Sequence, residues 1–138
     1  MMFQEGCPCG SDCQYVMCCG RMIEGGVRAQ TPEMLMRSRY TAYTRSDIDY
    51  IDRTVAGDAR RDFCARSAKR WAQSVVWQSL SVMDVSSVDA FSRVGTVTFE
   101  VRYIEQGQLC VMTEKSRFEC INGEWFYVAA EVSSVSVE

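Results

Sequence analysis

Histidine is absent from all 138 residues. Without an imidazole the chain can build neither a Ser-His-Asp nor a Cys-His nucleophile pair, and no HExxH metallopeptidase site. Proton transfer would fall to Asp, Glu, Tyr, Cys or Lys. Long apolar runs are also lacking. The longest span a few residues, far short of the roughly 20 that cross a bilayer, so no membrane span is expected. Positive charge is in deficit, with Lys+Arg 15 against Asp+Glu 18, a net charge of -3 and a pI near 5.1. Long-range attraction to nucleic acid is therefore not expected. The opening MMFQEGCPCG has no basic start and no apolar core, so it does not read as a signal peptide. The expected compartment is the cytoplasm, where thiols stay reduced and clustered cysteines indicate metal more often than disulfides.

Cysteine, by contrast, is plentiful and uneven. Five of the 8 cysteines fall within CPCGSDCQYVMCCG, residues 7 to 20. The spacing C-x-C-x8-C-C, on Cys7, Cys9, Cys18 and Cys19, suits four thiolates around one tetrahedral Zn²⁺. Sulfurs at adjacent corners of such a site lie about 3.8 Å apart, the spacing of consecutive Cα atoms, so neighbouring cysteines can fill two corners. Gly6, Gly10 and Gly20 flank the pairs. Cys13 falls between the pairs and reads as a bystander. An iron–sulfur cluster usually separates its ligands by two or more residues, a disulfide needs an oxidising compartment, and a redox role would rest on an exposed thiol, with Cys13 the candidate. Residues 1 to 30 hold five of the 9 glycines and few large aliphatic side chains, so metal binding would supply the folding energy that a core cannot. Four thiolates and a zinc ion would carry the formal charge from -3 to -5. Arg21 and Arg28 are the nearest cations in sequence.

The remainder reads as one α+β domain, helices first and then an antiparallel meander. Thr31-Pro32-Glu33 is an N-cap, a first-turn proline and an acid at the helix start, which predicts a helix over 32–45. A short continuation follows to about 54, with a turn at Gly57-Asp58. A second helix is predicted over 59–73, on the stripe Cys64, Ala68, Trp71, Ala72. From Val75 the period changes to two. In the first strand Trp77, Ser79, Ser81 and Met83 alternate with Val76, Gln78, Leu80 and Val82. In the next, Val97, Phe99, Val101 and Tyr103 share a face. Gln106-Gly107 and Asn122-Gly123 mark hairpin turns, which set strands over 109–120 and from 124 to about 132. Cys64, Cys110 and Cys120 read as small buried apolar residues. On the third strand Glu114 and Ser116 share a face with Met112 and Phe118, so this face borders a cavity, an ion pair or solvent.

Taken together these blocks resemble a known family. CPCGSDCQYVMCCG is similar to the SEC-C motif, a short zinc module known from the tail of the SecA motor. EGG at 24–26, TPEMLMRSRYTAY at 31–43, Trp77-Gln78-Ser79-Leu80, TEKSRF at 113–118 and GEWFYV at 123–128 resemble the YchJ-like proteins. The resemblance implies a SEC-C zinc module over 1–30 and a nuclear transport factor two-like (cystatin-like) domain over 31–138, its helices on a curved four-stranded antiparallel sheet around a cone-shaped cavity. It implies no particular activity. The first expectation is a protein-docking module built on structural Zn²⁺, with a cavity that holds a small molecule or merely core, and a homodimer, since sheets of this fold often pair. The alternative is a cavity enzyme of the ketosteroid isomerase or scytalone dehydratase type, working by proton transfer at Glu114. Arg39, Tyr40, Tyr43, Trp77, Ser116, Arg117 and Tyr127 are its candidate liners. Against that stands a structural ion pair of Glu114 with Arg39 or Arg117.

Overall fold

The computed structural model describes residues 5–138; the first four residues of the expected 1–30 module lie outside them. A single 3-10 turn, Tyr15–Met17, leads into α1 (Cys19–Ile23). Then come α2 (Pro32–Thr44), α3 (Ile48–Arg53), α4 (Gly57–Asp62) and α5 (Ala65–Ser74). Strands β1 (Val75–Val85), β2 (Val94–Glu105), β3 (Gln108–Ile121) and β4 (Glu124–Val137) close the chain. They pair antiparallel in the order β1-β2-β3-β4, with the helices packed on this open sheet. Helices before strands is the layer order that the change of period from 3.6 to two predicts.

Local chemistry accounts for the element ends. The Thr31 hydroxyl accepts the Met34 amide at 3.1 Å and starts α2 behind Pro32. Ser46 turns through positive φ, and Asp47 recaps the chain by accepting the Tyr50 amide. Gln106-Gly107 and Asn122-Gly123 have positive φ at both positions, the two-residue turn that twists with the strands it joins.

Four expectations are corrected. Residues 59–73 are not one helix, because the chain is extended at Phe63 and Cys64 between α4 and α5. Cys64 therefore ends up exposed, and Cys120 is only half-buried, whereas Cys110 is buried. The simple alternation of β1 fails at a register shift between Trp77 and Ser79. An extra residue reverses the faces, so Trp77, Leu80 and Val82 all pack toward the core. Lastly, β4 runs five residues beyond the expected 132, to Val137.

The N-terminal segment holds more apolar anchorage than its composition promises. Tyr15, Met22 and Ile23 are buried in the same cluster as Leu35 and Ile51 of the helices and Val97 and Phe118 of the sheet. Among the described residues Phe118 is the largest fully buried side chain.

Candidate functional site

Two sites stand on different faces of α2. The first is the cysteine cluster. A bridge between Gly6 and Gln14 and the Cys7 N to Cys13 O bond of 2.8 Å fold residues 6–14 into a loop. Gly10, at φ 80°, turns the chain back after Cys9. The Sγ atoms of Cys7, Cys9, Cys18 and Cys19 then lie within 4.8 Å of one another, with Cys9 and Cys18 at 3.7 Å. That matches the edge of about 3.8 Å for a tetrahedral four-thiolate zinc site. Cys9 and Cys19 are fully buried and Cys7 nearly so. These four residues could hold a metal ion; Cys13 is exposed, and its thiol meets only the Ser11 carbonyl among the described residues.

The surroundings fit a charged cluster. Ser11 Oγ lies 3.2 Å from the Cys18 sulfur, and Thr41 Oγ1 of α2 lies 3.8 Å from that of Cys7. Arg37 donates from Nη1 to the Cys9 carbonyl at 2.8 Å and pairs with Glu33 at 2.9 Å. Arg37, not Arg21 or Arg28, is therefore the cation against the cluster; Arg21 is exposed and Arg28 pairs with Glu124. Sequence spacing hides this contact, which spans 28 residues. Among Cys9, Cys18 and Cys19 the protons are held unequally. A hydrogen bond from Cys19 holds Cys9 as a thiolate, down to about 4. That same bond, with burial, keeps the proton on Cys19, and burial does so for Cys18. A metal ion would replace these protons. With four protein thiolates it keeps no open position, so its contribution is structural rather than Lewis-acid chemistry.

The second site is a hollow of about 200 Å³ between α2, α5 and the sheet. Arg39, Tyr40, Tyr43, Trp77, Glu114, Ser116 and Tyr127 all border it, with Trp71, Phe99 and Phe118 completing its apolar walls. Helical spacing places Trp71 on an apolar stripe, and its ring stands edge-on to Trp77 at 5.0 Å. Arg117 is not a liner. It alternates to the outer, exposed side of β3 and pairs with Glu119.

Glu114 is not in the expected ion pair with Arg39 or Arg117; among the described residues neither guanidinium is within salt-bridge distance of it. Instead its Oε2 accepts hydrogen bonds from Ser116 Oγ at 2.5 Å and Tyr127 Oη at 3.1 Å. Arg39, 8% exposed, donates from Nη1 to the Ile51 carbonyl at 3.0 Å and to Thr54 Oγ1 at 2.6 Å. Its Cζ sits 4.7 Å over the Tyr127 ring. Burial lowers the Arg39 pKa; burial and then the Glu114 carboxylate raise that of Tyr127. Tyr127 is fixed at both main-chain ends, its amide donating to the Thr54 carbonyl and its carbonyl accepting from Ala56 N, each at 2.9 Å. A wider outer groove of about 660 Å³, bordered by Phe63, Cys64 and Ala68, shares Arg39, Tyr43 and Tyr127 with the hollow.

Comparison with known proteins places this geometry. Residues 31–130 match the model of the YchJ middle NTF2-like domain. A UPF0225 protein of Geobacter sulfurreducens is 36% identical over 88% of the chain and 75% of its own length. The UPF0225 protein YchJ of Shigella dysenteriae is 37% identical over 88% of the chain and 80% of its length. The solution structure of a SEC-C motif containing protein from Rhodopseudomonas palustris superposes with a TM-score of 0.83 at 32% identity, covering 93% of this chain and 98% of that one.

Proposed function

The chain belongs to the YchJ (UPF0225) family, and from that premise we propose that its cysteine cluster holds one structural Zn²⁺ and that the module over 1–30 docks a protein partner in the cytoplasm. The observation that carries the docking role is an exposed apolar pair on the cluster's rim. Val16 and Met17 are 56% and 65% exposed on the 3-10 turn immediately before Cys18 and Cys19. Adjacent apolar side chains exposed at the surface favour a protein surface as partner. The deficit of positive charge argues against nucleic acid.

The test is the double variant Val16→Asp, Met17→Glu in the full chain. Metal content and melting temperature stay at the wild-type values while partners crosslinked to residues of the 3-10 turn in cells are lost. An unchanged set of crosslinked partners would remove the docking role.

A second reading is favoured by one specific observation: Glu114 lies in an apolar hollow with no cationic partner in bonding distance among the described residues. A carboxylate so placed can bind, and move a proton on, a small molecule admitted through the outer groove. The likeness to isomerase and dehydratase folds adds only analogy to that.

A further inference from the structure

The hollow contains two charged groups whose hydrogen-bonding capacity the fold leaves partly open. Arg39 uses Nη1 on Ile51 and Thr54; its Nε and Nη2 have no acceptor among the described residues. Glu114 uses Oε2 on Ser116 and Tyr127; its Oε1 has no donor among them. Among the described residues the one enclosed side-chain polar atom without a partner is Tyr15 Oη, so the open atoms of Arg39 and Glu114 reach the accessible space of the hollow they border and can meet a polar ligand there. Tyr127 sets their separation. The guanidinium stacks on its ring, while its hydroxyl reaches Glu114. The open donors thus lie over the face of the Tyr127 ring and the open acceptor at its hydroxyl end.

The chemistry between them is aromatic. Trp71, Trp77 and Tyr43 form edge-on and tilted contacts at 5.0 to 6.1 Å. A volume of about 200 Å³ admits a single six-membered ring with substituents. A lone cation would be repelled by Arg39, a phosphate dianion by Glu114, and a neutral hydrocarbon would leave both charges unanswered.

We propose that the hollow binds a small aromatic acid with a hydroxyl at the far end of its ring. The carboxylate pairs with the open Arg39 donors, the hydroxyl donates to Glu114 Oε1, and the ring lies against Trp71 and Trp77. Arg39 is suited to this role because its planar fork matches a carboxylate in two hydrogen bonds. This assignment rests on the reading of the hollow as a small-molecule site.

Metal-loaded full chain is titrated with 4-hydroxybenzoate, benzoate and phenol, following tryptophan fluorescence and melting temperature. Two of the 3 tryptophans line the hollow, so occupancy quenches them saturably. In the wild type 4-hydroxybenzoate binds tightest. Deleting either end weakens binding by roughly ten- to a hundredfold, the span of hydrogen bonds to charged groups. Arg39→Met abolishes the advantage of 4-hydroxybenzoate over phenol, and Glu114→Gln reduces its advantage over benzoate. Should Arg39→Met fail to fold, Arg39→Lys keeps the charge without the fork and still weakens the two acids but not phenol. Phenol binding as tightly as the acids, or acid affinity unmoved by the Arg39 variants, overturns the ligand class and leaves the hollow a small-molecule site. Failure of all three compounds to bind overturns that underlying reading as well.

Discussion

Replacing Cys9 by Ser empties the cluster of metal and lowers the melting temperature by about 10 °C or more. Cys9 is fully buried, 3.7 Å from the Cys18 sulfur, so losing its thiolate removes one of four ligands and leaves the others mutually repelling or protonated. The loss is centred on the N-terminal segment, whose Tyr15, Met22 and Ile23 anchor it only in part, while the four-stranded sheet persists. Cys13→Ser leaves metal content and melting temperature unchanged, because that thiol is exposed and outside the cluster. Elemental analysis beside a thermal melt measures both. Stoichiometric metal in Cys9→Ser, or its loss in Cys13→Ser, contradicts the assignment of ligands. Acid acts in the same direction as the substitution. Without the ion, Cys18 and Cys19 hold their protons above the ordinary thiol range while Cys9 gives its own up near 4. Loading therefore expels at least the first two of these protons, and affinity falls as pH falls.

Gly20→Ala weakens metal affinity at least about tenfold and costs roughly 1–3 kcal/mol of stability, the usual range for overpacking. A Cβ at Gly20 would stand 2.7 Å from the Tyr15 carbonyl oxygen and 2.9 Å from its ring. The carbonyl cannot swing aside, since it accepts the Cys18 amide at 3.0 Å, and the ring is buried. Relief must come from moving α1, which carries Cys19. Gly6 also flanks a ligand, yet a Cβ there meets nothing within 4 Å, so Gly6→Ala is the matched control. Competition with a chromophoric chelator reads the affinities; equal values for the two variants would show that α1 is free to shift without disturbing Cys19.

Much of this architecture is written in short-range signals. Thr31-Pro32, the two turns ending in glycine, and the alternation of Val97 to Tyr103 each act within a few residues, and the structure follows them. The gathering of the four thiols is legible for the same reason, since their spacing along the chain is short enough to bring the sulfurs within 4.8 Å of one another. The misses are all tertiary. The extra residue beside Trp77 carries no local signature, and it reverses a strand face. The break at Phe63-Cys64 interrupts a pattern that periodicity alone continues. Glu114 has charged candidates on its own and neighbouring elements, but Arg117 points outward by the alternation of β3 and Arg39 is taken by Ile51 and Thr54. Its hydroxyl partner Tyr127 comes from the next strand, thirteen residues on. Arg37 escapes notice because its acceptor is a main-chain carbonyl, which has no identity in a sequence.

Helix α2 faces both ways. Arg37 and Thr41 meet Cys9 and Cys7 on one side, while Met36, Arg39, Tyr40 and Tyr43 border the hollow on the other. Any displacement of this single rod is felt at both places. If filling the hollow shifts α2 toward or away from the thiols, metal affinity changes by some factor, and metal must change the affinity of the hollow by the same factor. The ion need not touch a ligand to act as its silent co-determinant.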